Sequence, residues 1–237
     1  MIPVADARAR VLDQVTPTAI ELVPIALAHG RVLAADVLAT RDQPPFATTA
    51  MDGYAFRSGA PAYRVAGTSR AGEAFSGDLA PDTALRVFTG APLPPAFDTI
   101  VPQEDAAFDA GGRLLPGAAK SGRFLRPAGL VFRAGGTVLP AGRTLDPRAI
   151  ALAAATGAAL LPVRRRPRVA VLATGDELVP AGVAPSPDQI VASSLHAVIG
   201  LVLALGAEPI DLGIAADTPA ALEARLDAAL AADIDIL

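Results

Sequence analysis

Apolar and polar residues follow two different spacings along the chain, and the first part has the helical one. Apolar residues recur three and four positions apart over residues 4–12, directly after a proline that suits the first turn of a helix. Residues 20–37 also have a mostly helical pattern, with a break near Gly30. The Gln43-Pro44-Pro45-Phe46 segment then ends this predicted helical region.

The middle of the chain consists of short runs typical of β-strands, separated by clusters of glycine, proline and aspartate. Strands are predicted at residues 63–66, 84–88, 99–101 and 113–115. The Pro140-Ala141-Gly142 segment, between the runs 137–139 and 143–145, is a hairpin or turn signal. These runs predict a small β-rich module.

A helix with recognisable ends follows the β-rich module. It is predicted over residues 146–156, with Asp146 as its N-cap, Pro147 at its first position and Gly157 at its end. The next segment, Arg164-Arg165-Arg166-Pro167, is interpreted as a solvated linker, which is the usual setting of a charge run.

The last part of the chain alternates between strands and helices. Strands are predicted at residues 168–173, 209–214 and 234–237, and helices at residues 193–205 and 218–232. This βαβαβ order predicts a parallel sheet with right-handed crossovers. Because the chain ends inside the third strand, we expect this domain to be truncated.

The composition narrows the possible functions. Hydrophobic residues are 52% of the 237 residues and charged residues 19%, which favours a folded core over disorder. The formal net charge of −4 argues against a nucleic-acid partner. Cysteine is absent and only His29 and His196 could supply imidazole, so the expected metal is Mg²⁺ on oxygen ligands rather than zinc.

Neither the apolar runs of the chain nor its N-terminal residues indicate a membrane-spanning segment or a signal peptide. The apolar runs at residues 149–163 and 197–207 are shorter than the about 20 residues that a membrane-spanning helix needs. The first ten residues carry charge and lack a signal-peptide core. We therefore expect a cytoplasmic protein with no membrane partner.

Candidate ligand-binding residues lie where the predicted parallel strands end. Thr174-Gly175-Asp176-Glu177 directly follows the first of these strands, at the sheet edge where open α/β folds bind ligands. Its two acids fit either a ligand site or a solvated turn. Asp217 follows the second strand, but it also precedes a helix whose N-terminus favours an acid. Residues 50–55 and 88–94 are unusual in composition, although ordinary loops are the simpler interpretation of both.

Four motifs, in order along the chain, resemble those of the MoeA family of molybdopterin molybdenumtransferases, which includes the C-terminal part of gephyrin. Residues 50–55 resemble its SAMDGYA segment. Residues 88–94 and Gln103-Glu104-Asp105 resemble its FTGAPLP and QED segments. Residues 139–142 resemble its LPAG turn, and residues 172–178 resemble its strand followed by TGDEL.

The resemblance implies a multidomain fold of α/β and β type. An elongated helical domain is expected over residues 1–43 and 133–165, interrupted by a small β-rich domain over residues 44–132. A truncated parallel βαβαβ domain that binds molybdopterin is expected over residues 166–237. The family's TSGGxSxGxxD motif and its last β domain are expected after Leu237.

The resemblance also implies a reaction, in which molybdenum from molybdate enters adenylylated molybdopterin and AMP is released, with Mg²⁺ as the metal. Carried over by motif, the expected catalytic residues are Asp52, Thr89 and Glu177. Asp52 and Glu177 are also the expected metal ligands, and Thr89 is expected to donate to an oxyanion. The residues expected to bind the cofactor are Thr174, Gly175, Asp176, Ser193, Ser194 and Asp217. A two-fold homodimer is implied, in which one chain's β domain faces the other chain's α/β domain.

Three segments depart from the family pattern by losing polar residues. The family's FDNSAMDGYA reads FATTAMDGYA at residues 46–55, its RxxGED reads RPAGLV at residues 126–131, and its IYDSN reads IVASS at residues 190–194. Core packing does not require the lost groups, so the expected fold is unaffected. Two functions stay open: the transferase itself, or a non-catalytic molybdopterin-binding protein that acts as a carrier or assembly protein for a molybdoenzyme.

Overall fold

The computed structural model describes residues 2–237, and its first part is dominated by short strands. The elements are α1 (Val4–Asp13), β1 (Ile20–Pro24), β2 (Val37–Leu38), β3 (Thr48–Thr49), β4 (Gly53–Phe56), β5 (Arg64–Ser69), β6 (Thr83–Val87), β7 (Thr99–Pro102), β8 (Ala107–Phe108), β9 (Leu114–Leu115), β10 (Leu125–Arg126) and β11 (Thr137–Leu139). Short 3₁₀ helices cover Ile25–Leu27 and Gln103–Asp105.

Helices become more frequent in the second part. The elements there are α2 (Pro147–Ala155), β12 (Leu160–Arg164), β13 (Arg168–Thr174), β14 (Leu178–Val179), β15 (Ile190–Val191), α3 (Ser193–Ala204), β16 (Glu208–Ala215) and α4 (Pro219–Ala231). The chain is therefore of mixed α/β type, as predicted. Within residues 2–237, no helix has the length and hydropathy that crossing a membrane requires.

The chain divides into two compact units. The first, called here the α/β unit, comprises Met1–Ala35, Pro140–Ala151 and Ala159–Leu237. The second, the β unit, comprises Asp36–Leu139 and Leu152–Ala158. The three-domain division expected from the sequence is finer than this one and stays a prediction.

A four-stranded sheet forms the centre of the β unit, in the order β5-β6-β4-β7. β4 is antiparallel to both of its neighbours, and β5 and β6 are parallel. The strands predicted from the sequence are found, with bounds shifted by a few residues. The loop interpretation of residues 50–55 is wrong for the part that forms β4, because two neighbouring strands supply its hydrogen-bond partners.

Core clusters lie on both faces of the sheet at β4, β6 and β7, which explains the nearly continuous apolar runs of these strands. On one face Ala55, Leu85 and Ile100 belong to one core cluster. On the other face Phe56 and Tyr63 belong to a second cluster, and their rings stack with centroids 4.1 Å apart. The side-chain alternation of a strand sends successive residues into opposite clusters.

The predicted helix at residues 20–37 is wrong. Ile20–Pro24 is instead strand β1, which pairs antiparallel with β12 from Ile20–Arg164 to Pro24–Leu160. A partner far away in sequence overrides local helical propensity here. Pro24 has no N–H to donate within a helix, which also disfavours the predicted conformation.

The turn predicted at Pro140-Ala141-Gly142 is present, but its flanking residues do not pair as a hairpin. Gly142 has a φ of +80°, in the left-handed region that glycine tolerates. β11 pairs with β2, and Thr144 forms a bridge with Val32. Each side of the turn thus finds its partner in the N-terminal part of the chain.

The parallel pairing predicted in the last part of the chain is found for its first two strands. β13 and β16 are parallel neighbours from Arg168–Glu208 to Thr174–Ala215. Helix α3 lies between them in sequence and packs against both strands. Apolar residues of the two strands and of both helices form two small core clusters. The third predicted strand is reduced to one parallel bridge between Val169 and Ile236.

Helix α4 begins at a threonine N-cap, as predicted. The Thr218 hydroxyl accepts a hydrogen bond from the Ala221 N–H at 3.3 Å, and Pro219 occupies the first turn. We expect Thr218→Ala to lower the free energy of unfolding by about 1 kcal/mol, since one helical N–H loses its acceptor. Thr218→Ser keeps the acceptor and is the matched control in urea unfolding. Equal losses in both variants would contradict a capping role.

Candidate functional site

An aspartate and a threonine meet at one edge of the central sheet of the β unit. Asp52 directly precedes β4, and Thr89 lies just after β6. Because Gly53 pairs with Val87, the two loop residues come together. Asp52 Oδ1 accepts hydrogen bonds from the Thr89 N–H at 2.7 Å and from the Thr89 hydroxyl at 2.8 Å. Two residues assigned separately by motif thus form one unit.

Close backbone packing holds this pair in place. A Cβ atom on Gly53 would lie 2.0 Å from the carbonyl oxygen of Val101, so only glycine fits there. Gly90 has a φ of +83° and donates its N–H to the carbonyl of Thr49 at 2.8 Å. The glycines of both motifs therefore serve the geometry of the site.

The contacts of Asp52 favour its ionised form. The backbone N–H of Thr89 is the largest cause lowering the pKa of Asp52, and the Thr89 hydroxyl and the Arg86 guanidinium act in the same direction. Within residues 2–237, Asp52 Oδ2 accepts no hydrogen bond. The pair therefore offers an ionised carboxylate with one oxygen available to a proton donor or a cation.

The QED segment of the second motif joins the same edge through Gln103. The Gln103 N–H donates to the carbonyl of Asp52 at 3.0 Å. Arg86 Nη2 donates to Gln103 Oε1 at 2.5 Å, and its guanidinium lies over the rings of Tyr54 and Phe88, at 4.9 and 5.2 Å from their centroids. Sequence reasoning missed Arg86, although a charge inside an otherwise apolar strand is a signal that could have identified it.

In the α/β unit, the predicted sheet edge brings two acids together. Thr174 ends β13 and Ala215 ends β16, and the Gly175 N–H donates to the Ala215 carbonyl at 3.1 Å. Just beyond, the Asp217 N–H donates to Asp176 Oδ1 at 3.1 Å. Both carboxylates are exposed. Residues 174–177 and Asp217 therefore lie at one edge of the parallel pair, as their positions after the two strands predict.

Glu177 lies at the same turn, with its carboxylate folded over a glycine. Gly175 has a φ of +152°, and a Cβ atom there would lie 2.6 Å from Glu177 Oε2. Glycine therefore leaves room for the carboxylate to lie against the backbone. The Glu177 carbonyl accepts a hydrogen bond from the Ile190 N–H at 2.8 Å, which fixes the backbone of the turn.

Ser193 and Ser194 form the exposed first turn of α3. Neither side chain caps the helix, since Ala192 holds the N-cap position without a side-chain hydrogen bond. The Ala192 N–H donates to the Val179 carbonyl at 3.0 Å, so the start of α3 is tied to β14. Their assignment to cofactor binding stays a prediction.

The expected metal ligands are divided between the two units, Asp52 in the β unit and Glu177 in the α/β unit. In the part of the chain that the structure describes, no three histidine, aspartate or glutamate side chains are grouped closely enough to hold a metal ion. A Mg²⁺ site at these residues therefore stays a prediction.

Comparison with known proteins gives the family. A family model described as the MoeA N-terminal region, domains I and II, matches residues 2–157. The chain belongs to the MoeA family. Membership was expected from the four motifs, and the matched range contains Asp52, Thr89 and Gln103.

The relatives and solved structures agree with this assignment. Over 226 residues, 91% of the chain, the sequence is 39% identical to a molybdopterin molybdenumtransferase of Nostoc sp.. A molybdopterin molybdenumtransferase of Haemophilus influenzae is 33% identical over 97% of the chain. The crystal structure of a molybdopterin biosynthesis MoeA protein from Pyrococcus horikoshii matches 98% of the chain, with 31% identity and a TM-score of 0.86.

The chain matches only part of each of these proteins. It covers 52% of the Nostoc relative, 58% of the Haemophilus relative and 61% of the Pyrococcus structure. The chain thus spans about half the length of the curated relatives it matches.

Proposed function

We propose that the protein inserts molybdenum from molybdate into adenylylated molybdopterin and releases AMP. The observation that carries the proposal is the Asp52–Thr89 pair at the edge of the central sheet of the β unit. Its ionised carboxylate is fixed by two hydrogen bonds from Thr89. The names of the relatives support a transferase of molybdenum cofactor biosynthesis. A cytoplasmic location without a nucleic-acid or membrane partner is part of the proposal.

The roles of the β-unit pair follow from its hydrogen bonds. Releasing AMP requires water to attack phosphorus and requires a group that accepts the proton of that water. Asp52 is ionised and has one oxygen without a hydrogen bond, so it is suited to that role. The Thr89 hydroxyl can rotate from Asp52 to an oxyanion, while the Thr89 N–H continues to hold the carboxylate.

In the α/β unit, Asp176, Glu177 and Asp217 are proposed to bind the substrate. Asp176 and Asp217 share one sheet edge and are joined by a hydrogen bond. Carboxylates of this kind accept hydrogen bonds from the amino and amide N–H groups of a pterin. Thr174, Gly175, Ser193 and Ser194 are proposed to complete this binding surface.

The donor set fits Mg²⁺ that arrives with the substrate. Mg²⁺ commonly takes one or two protein carboxylates and completes its shell with water and substrate phosphates, so it needs no cage of three acids. Asp52 and Glu177 are the proposed protein ligands. When bound, the ion would neutralise phosphate charge and polarise the phosphoryl group.

A homodimer is proposed because the candidate residues are divided between two units. Asp52 and Thr89 belong to the β unit, and Glu177 and Asp217 belong to the α/β unit. In a two-fold dimer, the β unit of one subunit would complement the α/β unit of the other, which gives two equal sites.

A non-catalytic carrier of molybdopterin is the second candidate, and the departures from the family motifs favour it. Where the family has two acids, Leu130 and Val131 are 56% and 60% exposed. Where it has aspartate and asparagine in IYDSN, this chain has Ala192 and Ser194. At Leu130 and Val131 the change removes acids without adding to the core, and the buried Ala192 leaves no polar side chain at its position.

Molybdate-dependent AMP release distinguishes the two candidates. We expect the protein, as its gene encodes it, to release AMP from adenylylated molybdopterin in proportion to the molybdenum inserted. The assay measures AMP by chromatography with and without molybdate, and the Nostoc relative is the positive control. Tight binding of molybdopterin without AMP release would establish the carrier instead.

A further inference from the structure

The basic segment Arg164-Arg165-Arg166-Pro167 lines a cavity of about 490 Å³ in the α/β unit. The walls come from residues 14–18, 30–32, 164–167, 205–206 and 235–236. The solvated-linker interpretation is wrong for Arg164 and Arg165, since Arg164 belongs to β12 and both side chains are only partly exposed.

Two of the four arginines on this wall have carboxylate partners. Arg31 is buried, with 9% of its side chain exposed, and pairs with Glu21 while donating to the Arg164 carbonyl at 2.7 Å. Arg165 makes a two-pronged pair with Asp235, at 2.8 and 3.0 Å. These pairs are neutral overall, so they add no net charge to the wall.

The other two arginines have carbonyl partners only. Arg164 Nη1 donates to the Thr18 carbonyl at 2.9 Å, and Arg166 Nη1 donates to the Gly206 carbonyl at 3.1 Å. Across residues 2–237, neither guanidinium has a carboxylate within ion-pair distance. The cavity therefore carries about two uncompensated positive charges, although the protein as a whole has a net charge of −4.

The rest of the wall is suited to an organic body beside an anionic group. Val15, Val32, Leu205 and Ile236 give apolar surface, and the volume lies within the range of small-molecule sites. Free inorganic phosphate would leave most of this volume and all of the apolar surface unused. Arginine is the residue best suited to phosphate because its planar N–H groups match the oxygens in pairs.

We propose that this cavity binds a small phosphorylated organic anion of the nucleoside monophosphate class. The phosphate would contact Arg164 and Arg166, and the base or sugar would lie on the apolar wall. The site is independent of the proposed transferase reaction, because none of the residues assigned to that reaction lines the cavity.

Isothermal titration of the 237-residue protein with AMP and with inorganic phosphate at 150 mM NaCl tests the site. We expect saturable binding of AMP, and affinity for inorganic phosphate at least about tenfold lower. Arg164→Gln and Arg166→Gln should each weaken AMP binding about tenfold or more, the usual loss for a charge-assisted hydrogen bond. Arg225→Gln removes the same charge from the same unit away from the cavity and should change affinity less than twofold.

Three results would overturn the proposal. They are no saturable binding of AMP, equal affinity for AMP and inorganic phosphate, and AMP binding that responds to Asp217→Asn but not to the cavity variants. Arg166→Lys is the control that keeps the positive charge at this exposed residue. Circular dichroism checks that every variant is folded. Retained folding together with weakened AMP binding in Arg166→Gln supports the site.

Discussion

Replacing Gly53 with alanine is expected to unfold the β unit or to destabilise it by more than about 3 kcal/mol. The added Cβ would lie 2.0 Å from the Val101 carbonyl oxygen, and that oxygen belongs to the backbone of a neighbouring strand. No side-chain rotation can relieve this overlap. Because β4 is an inner strand, moving it disturbs the pairing with both β6 and β7.

Thermal unfolding followed by circular dichroism measures the effect, and Gly200→Ala is the matched control. Gly200 lies within α3 with no atom near its would-be Cβ, so alanine should stabilise the protein by roughly 0.5–1 kcal/mol. If the Gly53→Ala protein had the same thermal midpoint as the wild type, β4 would have to shift away from β7 at no cost, which would contradict the expected steric conflict.

Asp52→Ala is expected to reduce AMP release by about a hundredfold or more, the usual scale for loss of a catalytic proton acceptor. The same change should move the thermal midpoint little, since the carboxylate is partly exposed and serves no core cluster. Thr89→Val, which keeps the N–H that holds Asp52, should also lower AMP release. The measurements are initial rates and thermal midpoints of the gene-encoded protein.

Asp98→Asn in the same unit is the control for a structural aspartate. Asp98 accepts hydrogen bonds from the Ser58 N–H, the Ser58 hydroxyl and the Thr99 hydroxyl, at 2.8–2.9 Å. This variant should lower the thermal midpoint while AMP release per folded molecule is kept. If Asp52→Ala instead affects the midpoint more than the rate, the catalytic role of Asp52 is wrong.

The part of the fold that could be predicted is the part specified by local signals. The cap at Thr218 and the glycine after α3 mark helix ends, and β13 and β16 are separated by one helix. Such signals lie within a few residues of the element they define, so the element can be predicted without knowledge of its tertiary contacts. The parallel β13–β16 pairing followed from the alternation of strand and helix.

Elements that depend on distant partners could not be predicted. Ile20–Pro24 has a helical pattern in isolation, and only β12 makes it a strand. β4 contains a glycine and follows a turn-like segment, so its central position becomes visible only once β6 and β7 flank it. Nothing local to either segment encodes those partners.

Motifs and positions contributed differently to the candidate site. Asp52 and Thr89 were proposed from motif alone, and the register of β4 and β6 supplies the physical reason that they meet. Asp176 and Asp217 were placed at one edge by a general property of parallel sheets. Arg86 was missed because its importance comes from Tyr54, Phe88 and Gln103, which are brought to it by the fold.

The β1–β12 pairing has a consequence for the order of folding. Joining Pro24 to Leu160 in an unfolded chain closes a loop of well over a hundred residues, and the entropy cost of closure grows with loop length. The β2–β11 pairing joins Val37 to Leu139 inside that loop. Once the β unit has folded, its two ends are adjacent, and the remaining loop is short. We therefore expect β1 and β12 to gain hydrogen-exchange protection only after the β unit has done so.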